Sequence, residues 1–399
     1  MKRRRFLGTL TAGALVGTLT SAQERKPPTA PAAAPTNLTR TPLVLMAPRP
    51  DGFEAVWAVH HLCTGHIEWE AADGTRGEMR SDDFGFVPQH PNVLRARVTG
   101  LKPATTYRVR AITLSADDDR REVSPWKSYR TLDPQGASTT FVVWNDTHSN
   151  QATLQQLHTV TPRADFLLWN GDTCNDWKTE DLLVPTLLYP AERDITDGRP
   201  LLLTWGNHDV RGRYAFAMPG IVATPGGRPF YAFRSGPVAV ICLHTGEDKP
   251  DSHPSFRGRV AFDHLRREQA AWLAETIRRP EISAAPYRIV FCHIPLRWRD
   301  ESVQDYANKG FDRHSGRSRA AWHDSLVKWK TQLVISGHTH QPAWLPATPE
   351  FPYGQLIGGG PSLPAATWMK ATADAQQFQI HLRNLAGTVL HEVTLRPLA

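Results

Sequence analysis

Apolar and polar positions follow two different rhythms along this chain. Beyond residue 138, short apolar runs such as TTFVVW, DFLLW, PLLLT, YRIVFC and QLVIS recur between helical-period stretches at residues 268–279 (EQAAWLAETIRR) and 318–329 (SRAAWHDSLVKW). Strands buried on both faces need continuous apolar runs, and their alternation with helices predicts an α/β layered domain with helices covering the sheet. From about residue 40 to 134 the runs FEAVWAV, HIEWE, LRARVTG and YRVRAITL are separated by Gly, Asp and Pro turns. That is the pattern of a small all-β antiparallel sandwich. Ahead of it, KPPTAPAAAPT (26–36) has no means of building a core and reads as a semi-extended tether.

The first residues add a destination. Lys2, Arg3, Arg4 and Arg5 precede FLGTLTAGALVGTLTSA, a modestly apolar stretch ending in small residues, which together have the parts of an export signal. The order Arg3-Arg4-Arg5-Phe6-Leu7 resembles a twin-arginine signal, which implies export of a folded protein by the twin-arginine machinery to the periplasm or exterior of a bacterium. The stretch is short and broken by Gly and Thr, so no stable membrane span is expected in the mature protein. The expected organisation is therefore a signal over 1–22, a Pro/Ala linker over 23–39, an all-β domain over 40–134 and the α/β domain over 135–399.

Composition narrows the partners. With 40% hydrophobic and 21% charged residues, the 399-residue chain has the make-up of an ordinary globular protein. Four of its seven net positive charges belong to residues 2–5, which leaves +3, too little to suggest specific nucleic-acid binding. The four cysteines, Cys63, Cys174, Cys242 and Cys292, show no metal or disulfide spacing; Cys242 and Cys292 lie in apolar runs and read as small core residues.

Within the all-β segment, Leu101-Lys-Pro-Ala-Thr-Thr-Tyr107 places a Tyr at the start of a strand just after a turn. This resembles the corner of fibronectin type III domains, where the Tyr hydroxyl bonds to backbone upstream. The nearby His60, His61, Cys63 and His66 match no structural zinc spacing and are expected in a loop near the domain interface.

The chemistry lies where the apolar runs stop. In order, TTFVVWNDTH, ADFLLWNGDTCND, PLLLTWGNHD, YRIVFCHIP and TQLVISGHTH each deliver Asp, Asn or His as they end. Ligands of open α/β sheets collect at the carboxyl ends of strands, so these endings should converge on one crevice. Asp146, His148, Asp172, Asn207, His293, His338 and His340 offer two carboxylates, one amide and four imidazoles. Mixed oxygen and imidazole donors suit Mn, Fe or Zn better than Ca or Mg. Seven donors exceed one tetrahedral site, and a bridged pair of divalent transition-metal ions is the economical reading.

The ordered set Asp146-x-His148, Gly171-Asp172, Gly206-Asn207-His208-Asp209, His293 and Gly337-His338-x-His340 resembles the calcineurin-like metallophosphoesterase family over most of residues 138–399. The resemblance implies a layered β-sandwich flanked by helices, in which Asp146, His148 and His340 hold one metal, Asn207, His293 and His338 hold the other, and Asp172 bridges them. It implies hydrolysis of a small phosphate mono- or diester by a hydroxide bridging the two ions, with His208 protonating the leaving group and Asp209 orienting the His208 ring. Asn207 and Arg211 are candidates for contact with substrate. The preceding sandwich makes the chain similar to the subgroup that includes purple acid phosphatases, but Asn175 stands where those enzymes carry a Tyr three residues after the bridging Asp, and His148 is extra. A ferric tyrosinate is therefore not expected, and Asn175 reads as a hydrogen bonder to a ligand. Trp144, Trp169 and Trp205 are expected to pack beneath the site. The rival reading is a catalytically silent, exported interaction module with a retained metal site; a complete donor set together with His208 favours the enzyme.

Overall fold

The computed structural model describes residues 36–80, 85–301 and 310–398. The signal expected over 1–22 and most of the 23–39 linker lie outside the described residues. The compact unit runs from Asn37 to Ala399. Its first residues are tied down by Glu122, whose carboxylate accepts from the backbone N–H of Leu38 at 2.7 Å and of Thr39 at 3.1 Å.

Two large sheets face each other. In the nine-stranded sheet, Thr139–Trp144, Phe166–Asn170, Leu201–Thr204 and Val44–Arg49 run parallel in that order, and Thr367–Ala373 flanks Thr139–Trp144 antiparallel. In the six-stranded sheet, Val238–Leu243, Tyr287–Cys292, Leu333–Ser336 and Gly354–Ile357 are parallel neighbours. Strand periodicity sorts the apolar runs between layers. Phe141, Val143, Phe166, Leu168 and Leu202 meet Val240, Ile289, Phe291 and Ile335 in the core between the sheets. The alternate residues Val142, Trp144, Leu167 and Trp169 face outward, where the helix Gln151–Val160 supplies Leu154 and Leu157. Behind the other sheet, Ile241, Val290 and Val334 pack on Leu273 and Trp322 of the helices Phe262–Thr276 and Gly316–Lys328. The α/β sandwich flanked by helices is thus the architecture observed. Among the described residues no helix is long and apolar enough to cross a membrane.

Residues 40–134 build a sandwich core of their own and also extend the larger sheet. The layer Cys63–Ala71, Thr106–Ser115 and Lys127–Arg130 packs on Gly52–Ala58 and Val93–Val98 through Trp57, Ile67, Val109 and Tyr129. The second of these layers continues through Val44–Arg49, which pairs with Leu201–Thr204 at Met46 and Leu201. The Tyr107 hydroxyl accepts from the Lys102 N–H at 2.9 Å. Cys63 and His66, expected in a loop, lie in the strand Cys63–Ala71 with both side chains buried: Cys63 faces the sandwich core with Ile67, and His66 points to the opposite face beside Glu78. All four cysteines are free and buried.

Candidate metal centre and active site

Five of the seven candidate donors lie within three residues of the ends of strands whose carboxyl ends meet at one edge of the sandwich. Asp146, Asp172 and Asn207 come from the nine-stranded sheet, and His293, His338 and His340 from the facing one, with His148 two residues beyond Asp146. Asp146, His148, Asp172, His338 and His340 all adopt positive φ, between 46° and 72°. Non-glycine residues enter this region at a cost on the order of 1–3 kcal/mol each, and such strain concentrates at functional sites. The neighbouring glycines leave room for the turns: a Cβ on Gly337 would fall 2.1 Å from an Asp146 carboxylate oxygen, and one on Gly206 would fall 2.2 Å from Asp172.

The donors form a continuous cluster. Asp172 lies 3.1 Å from His293 Nε2 and 3.5 Å from His148 Nε2. Asp146 lies 3.4 Å from His340 Nε2 and 3.8 Å from His293 Nε2. His148 and His340 bring their Nε2 atoms within 3.1 Å, and His338 Nδ1 is 2.9 Å from Asn207 Oδ1. Three overlapping sets, Asp146 with His148 and His340, His148 with Asp172 and His208, and Asp172 with His293 and His338, each hold donor atoms within 4.8 Å of one another.

The outer nitrogens fix which atoms face inward. His293 Nδ1 donates to the Asn170 carbonyl at 2.8 Å and His338 Nε2 to the Asp312 carbonyl at 2.8 Å, so each ring turns its other nitrogen to the cluster, where it offers a lone pair once the ring is neutral. His148 Nδ1 meets the Asn175 side-chain oxygen at 3.0 Å, the contact expected of Asn175. His293 Nε2 is fully buried and lacks an aligned hydrogen-bond partner. Electrostatics favour a cation in the same place. Burial opposes charge on His293, but Asp172 and then Asp146 outweigh it and raise the imidazole to about 10. Burial pushes Asp172 upward, yet His293 and His208 hold its carboxyl far below the usual range. Burial, followed by the His293 charge, lowers His338 to about 4, leaving it neutral and free to coordinate. An orphaned imidazole nitrogen beside two ionised carboxylates fits divalent metal ions.

His208 lies at the edge of the cluster, where its ring packs edge-on against His148 with centroids 4.8 Å apart. Its orientation was expected from Asp209 and comes from elsewhere. His208 Nδ1 donates to the Asn175 carbonyl, while the Asp209 carboxylate accepts from the backbone N–H of Thr173 at 3.0 Å and of Gly206 at 2.9 Å. Adjacent residues of this tight turn project to different sides, so Asp209 ties two strand-end loops together and holds no imidazole. Burial and the Asp172 charge push its carboxyl upward. Asn207 directs its amide nitrogen to Asp248 at 3.5 Å and its oxygen to the cluster. Arg211 is half-buried, ion-paired with Glu247 at 2.6 Å and Asp248 at 3.0 Å, and its Nη1 is 3.0 Å from His208 Nε2. Trp144 and Trp169 are fully buried, 5.5 Å apart, in the core beneath the site; Trp205 is slightly exposed.

Glu247, Asp248 and Lys249 were missed from sequence, although the signal is the one used elsewhere: VAVICL ends in HTGEDK. Lys249 Nζ pairs with Asp248, and Lys249 joins Asp172, His208, His338 and His340 around a cavity of about 290 Å³. Burial raises Glu247 to about 7 despite Arg211.

A family model for calcineurin-like phosphoesterases matches residues 139–342. Among solved structures, the chain is similar to the purple acid phosphatase PPD1 from yellow lupin (Lupinus luteus) seeds, with a TM-score of 0.67 and 14% identity over 90% of this chain and 75% of that one. It is also similar to PhoD, with a TM-score of 0.60 and 12% identity over 91% of this chain and 90% of that one. At these identities the likeness is one of fold. No curated protein sequence matches the chain. Since the family model covers just over half of its length, the chain belongs to the calcineurin-like phosphoesterase family of phosphoric ester hydrolases.

Proposed function

We propose that this protein is an exported hydrolase of phosphate mono- or diesters that works with two divalent transition-metal ions, Mn, Fe or Zn. The observation that carries the reading is the position of Asp172, within 3.5 Å of imidazoles from both halves of the cluster. It supports Asp172 as the shared ligand, with Asp146, His148 and His340 on one side and Asn207, His293 and His338 on the other. When bound, the ions supply a water made acidic enough to attack at neutral pH and a positive field for the phosphoryl oxygens.

The chain's own residues supply the rest. The Asn175 carbonyl accepts a hydrogen bond from His208 Nδ1, so with the ring protonated Nε2 is the atom that would pass a proton to the leaving oxygen. Arg211, fixed by Glu247 and Asp248 through Nε and Nη2, presents Nη1 beside that nitrogen, where it could donate to a phosphate oxygen. Asp209 is a positioning residue: it holds the Asp172 and Asn207 loops at fixed separation. A fibronectin type III-like character for residues 40–134 is supported by the bond between Tyr107 and Lys102. Export to the periplasm or exterior is supported by Arg3-Arg4-Arg5-Phe6-Leu7.

Elemental analysis of the purified chain, with a screen of phosphomonoesters and phosphodiesters before and after chelation, tests the reading. Close to two metal ions per chain and loss of activity with chelator are expected; an active preparation without metal would overturn it.

A further inference from the structure

The candidate site continues into an apolar cavity that its own chemistry does not require. Arg211 and Lys249 border both the cavity over the cluster and a second one of about 360 Å³. Val210, Phe216, Arg259 and Val260 in turn border that second cavity and a third of about 340 Å³. The third is walled by Trp205, Val222, Phe262 and Leu265 among others. One loop links the two ends: Asn207 and His208 face the cluster, while Trp205 and Val210, on either side of them, line the apolar chamber. Phe216 stands at the junction with 62% of its surface exposed, an unusual position for a Phe without a partner. The sequence from the cluster outward is thus metal donors, then two cations, then a mainly apolar wall that also carries Arg228, His244 and Arg259.

Resting on the phosphoesterase reading, we propose that the apolar chamber binds the hydrocarbon part of the substrate, making this an esterase for phosphate esters of alcohols that carry an alkyl or aryl group. An apolar cavity of about 150 Å³ holds benzene. The chamber here, about 340 Å³, has room for two fused rings or a chain of roughly ten carbons. Arg211 and Lys249 would face the oxygens that join this group to phosphorus. Hydrocarbon held away from the reacting atoms is bound equally in ground and transition states, so it lowers KM and leaves kcat unchanged.

The test is calorimetric binding of methyl-, hexyl- and decylphosphonate to the full metal-loaded chain, which needs no turnover. Each methylene should tighten binding about 2- to 4-fold until the chamber is full. Phe216→Ala and Ala261→Trp alter exposed positions on the chamber wall, outside the catalytic and metal-binding set, and should leave the fold intact. Ala261→Trp, which fills the chamber, should weaken decylphosphonate at least 10-fold and leave methylphosphonate unchanged; Phe216→Ala should weaken decylphosphonate less. Equal affinity for methyl and decyl compounds would overturn the proposal, as would decyl binding insensitive to both variants. Hydrolysis of methyl phosphate, which has no group to fill the chamber, measured in parallel, reports on the phosphoesterase reading alone.

Discussion

The backbone carbonyl of Asn175 accepts the Nδ1 proton of His208, while the Asn175 side-chain oxygen meets Nδ1 of His148. One residue therefore sets the tautomer of a candidate metal ligand and of the candidate proton donor, and the bond to His208 survives any side-chain substitution at 175. His208→Ala should keep metal content intact. Turnover of alkyl phosphates, whose leaving groups need a proton, should fall by roughly 10²–10⁴. Nitrophenyl esters leave as anions and should suffer much less; equal losses for both substrates in steady-state kinetics would remove His208 from proton transfer.

Asp172→Ala should have the largest effect on metal content of any single substitution, because both halves of the cluster face this carboxylate. Elemental analysis should show less than one ion per chain. Chelation of the unaltered protein should lower its thermal midpoint, since ions that bind only the folded state stabilise it in proportion to the logarithm of their saturation. The variant's midpoint should not respond to chelator.

Lys127 is buried among the Asp194 carboxylate at 2.6 Å, the Leu43 carbonyl at 2.8 Å and the Thr196 hydroxyl at 2.6 Å. It fastens the residue 40–134 sandwich to the loop before Leu201–Thr204. Burial lowers its pKa, and the Asp194 charge opposes that. Removing one partner of a fully buried pair costs roughly 3–5 kcal/mol. Asp194 is 28% exposed, so Lys127→Met should cost less, about 2 kcal/mol in urea unfolding, with kcat retained.

His244 is held neutral by burial and then by Arg266, at about 3 against an ordinary 6.5. The unfolded chain takes up a proton there near pH 6.5 and the folded one does not. Its contribution is therefore fully present above pH 6.5 and is lost as pH falls toward 3, at roughly 1.4 kcal/mol per pH unit. Between pH 7 and pH 5 the unaltered protein should lose about 2 kcal/mol more than His244→Gln, as measured by denaturant midpoints at the two pH values.

The donor set was legible because strand endings and ligand chemistry coincide: burying Asp or His at the end of an apolar run is costly unless a bound ion or a hydrogen-bond partner receives it. What sequence could not supply was direction. Asp209 next to His208 looks like its orienting carboxylate, but the turn sends it to the Thr173 backbone, and the task falls to a carbonyl that every residue possesses. Glu247 and Asp248 follow an equally apolar strand but belong to no motif, so only their contacts with Arg211 give them a place. Likewise the turn residues around 40–134 mark a sandwich, while the pairing of Met46 with Leu201 leaves no sign in composition.

Because the donors are divided between two separately hydrogen-bonded sheets, neither sheet alone holds the full donor set. The complete set exists only once the Phe141 and Phe291 layers have closed on each other. If the chain crosses the membrane already folded, as we propose from Arg3 and Arg4, its metal would be drawn from the cytoplasmic pool, and growth conditions inside the cell would decide which ion it carries.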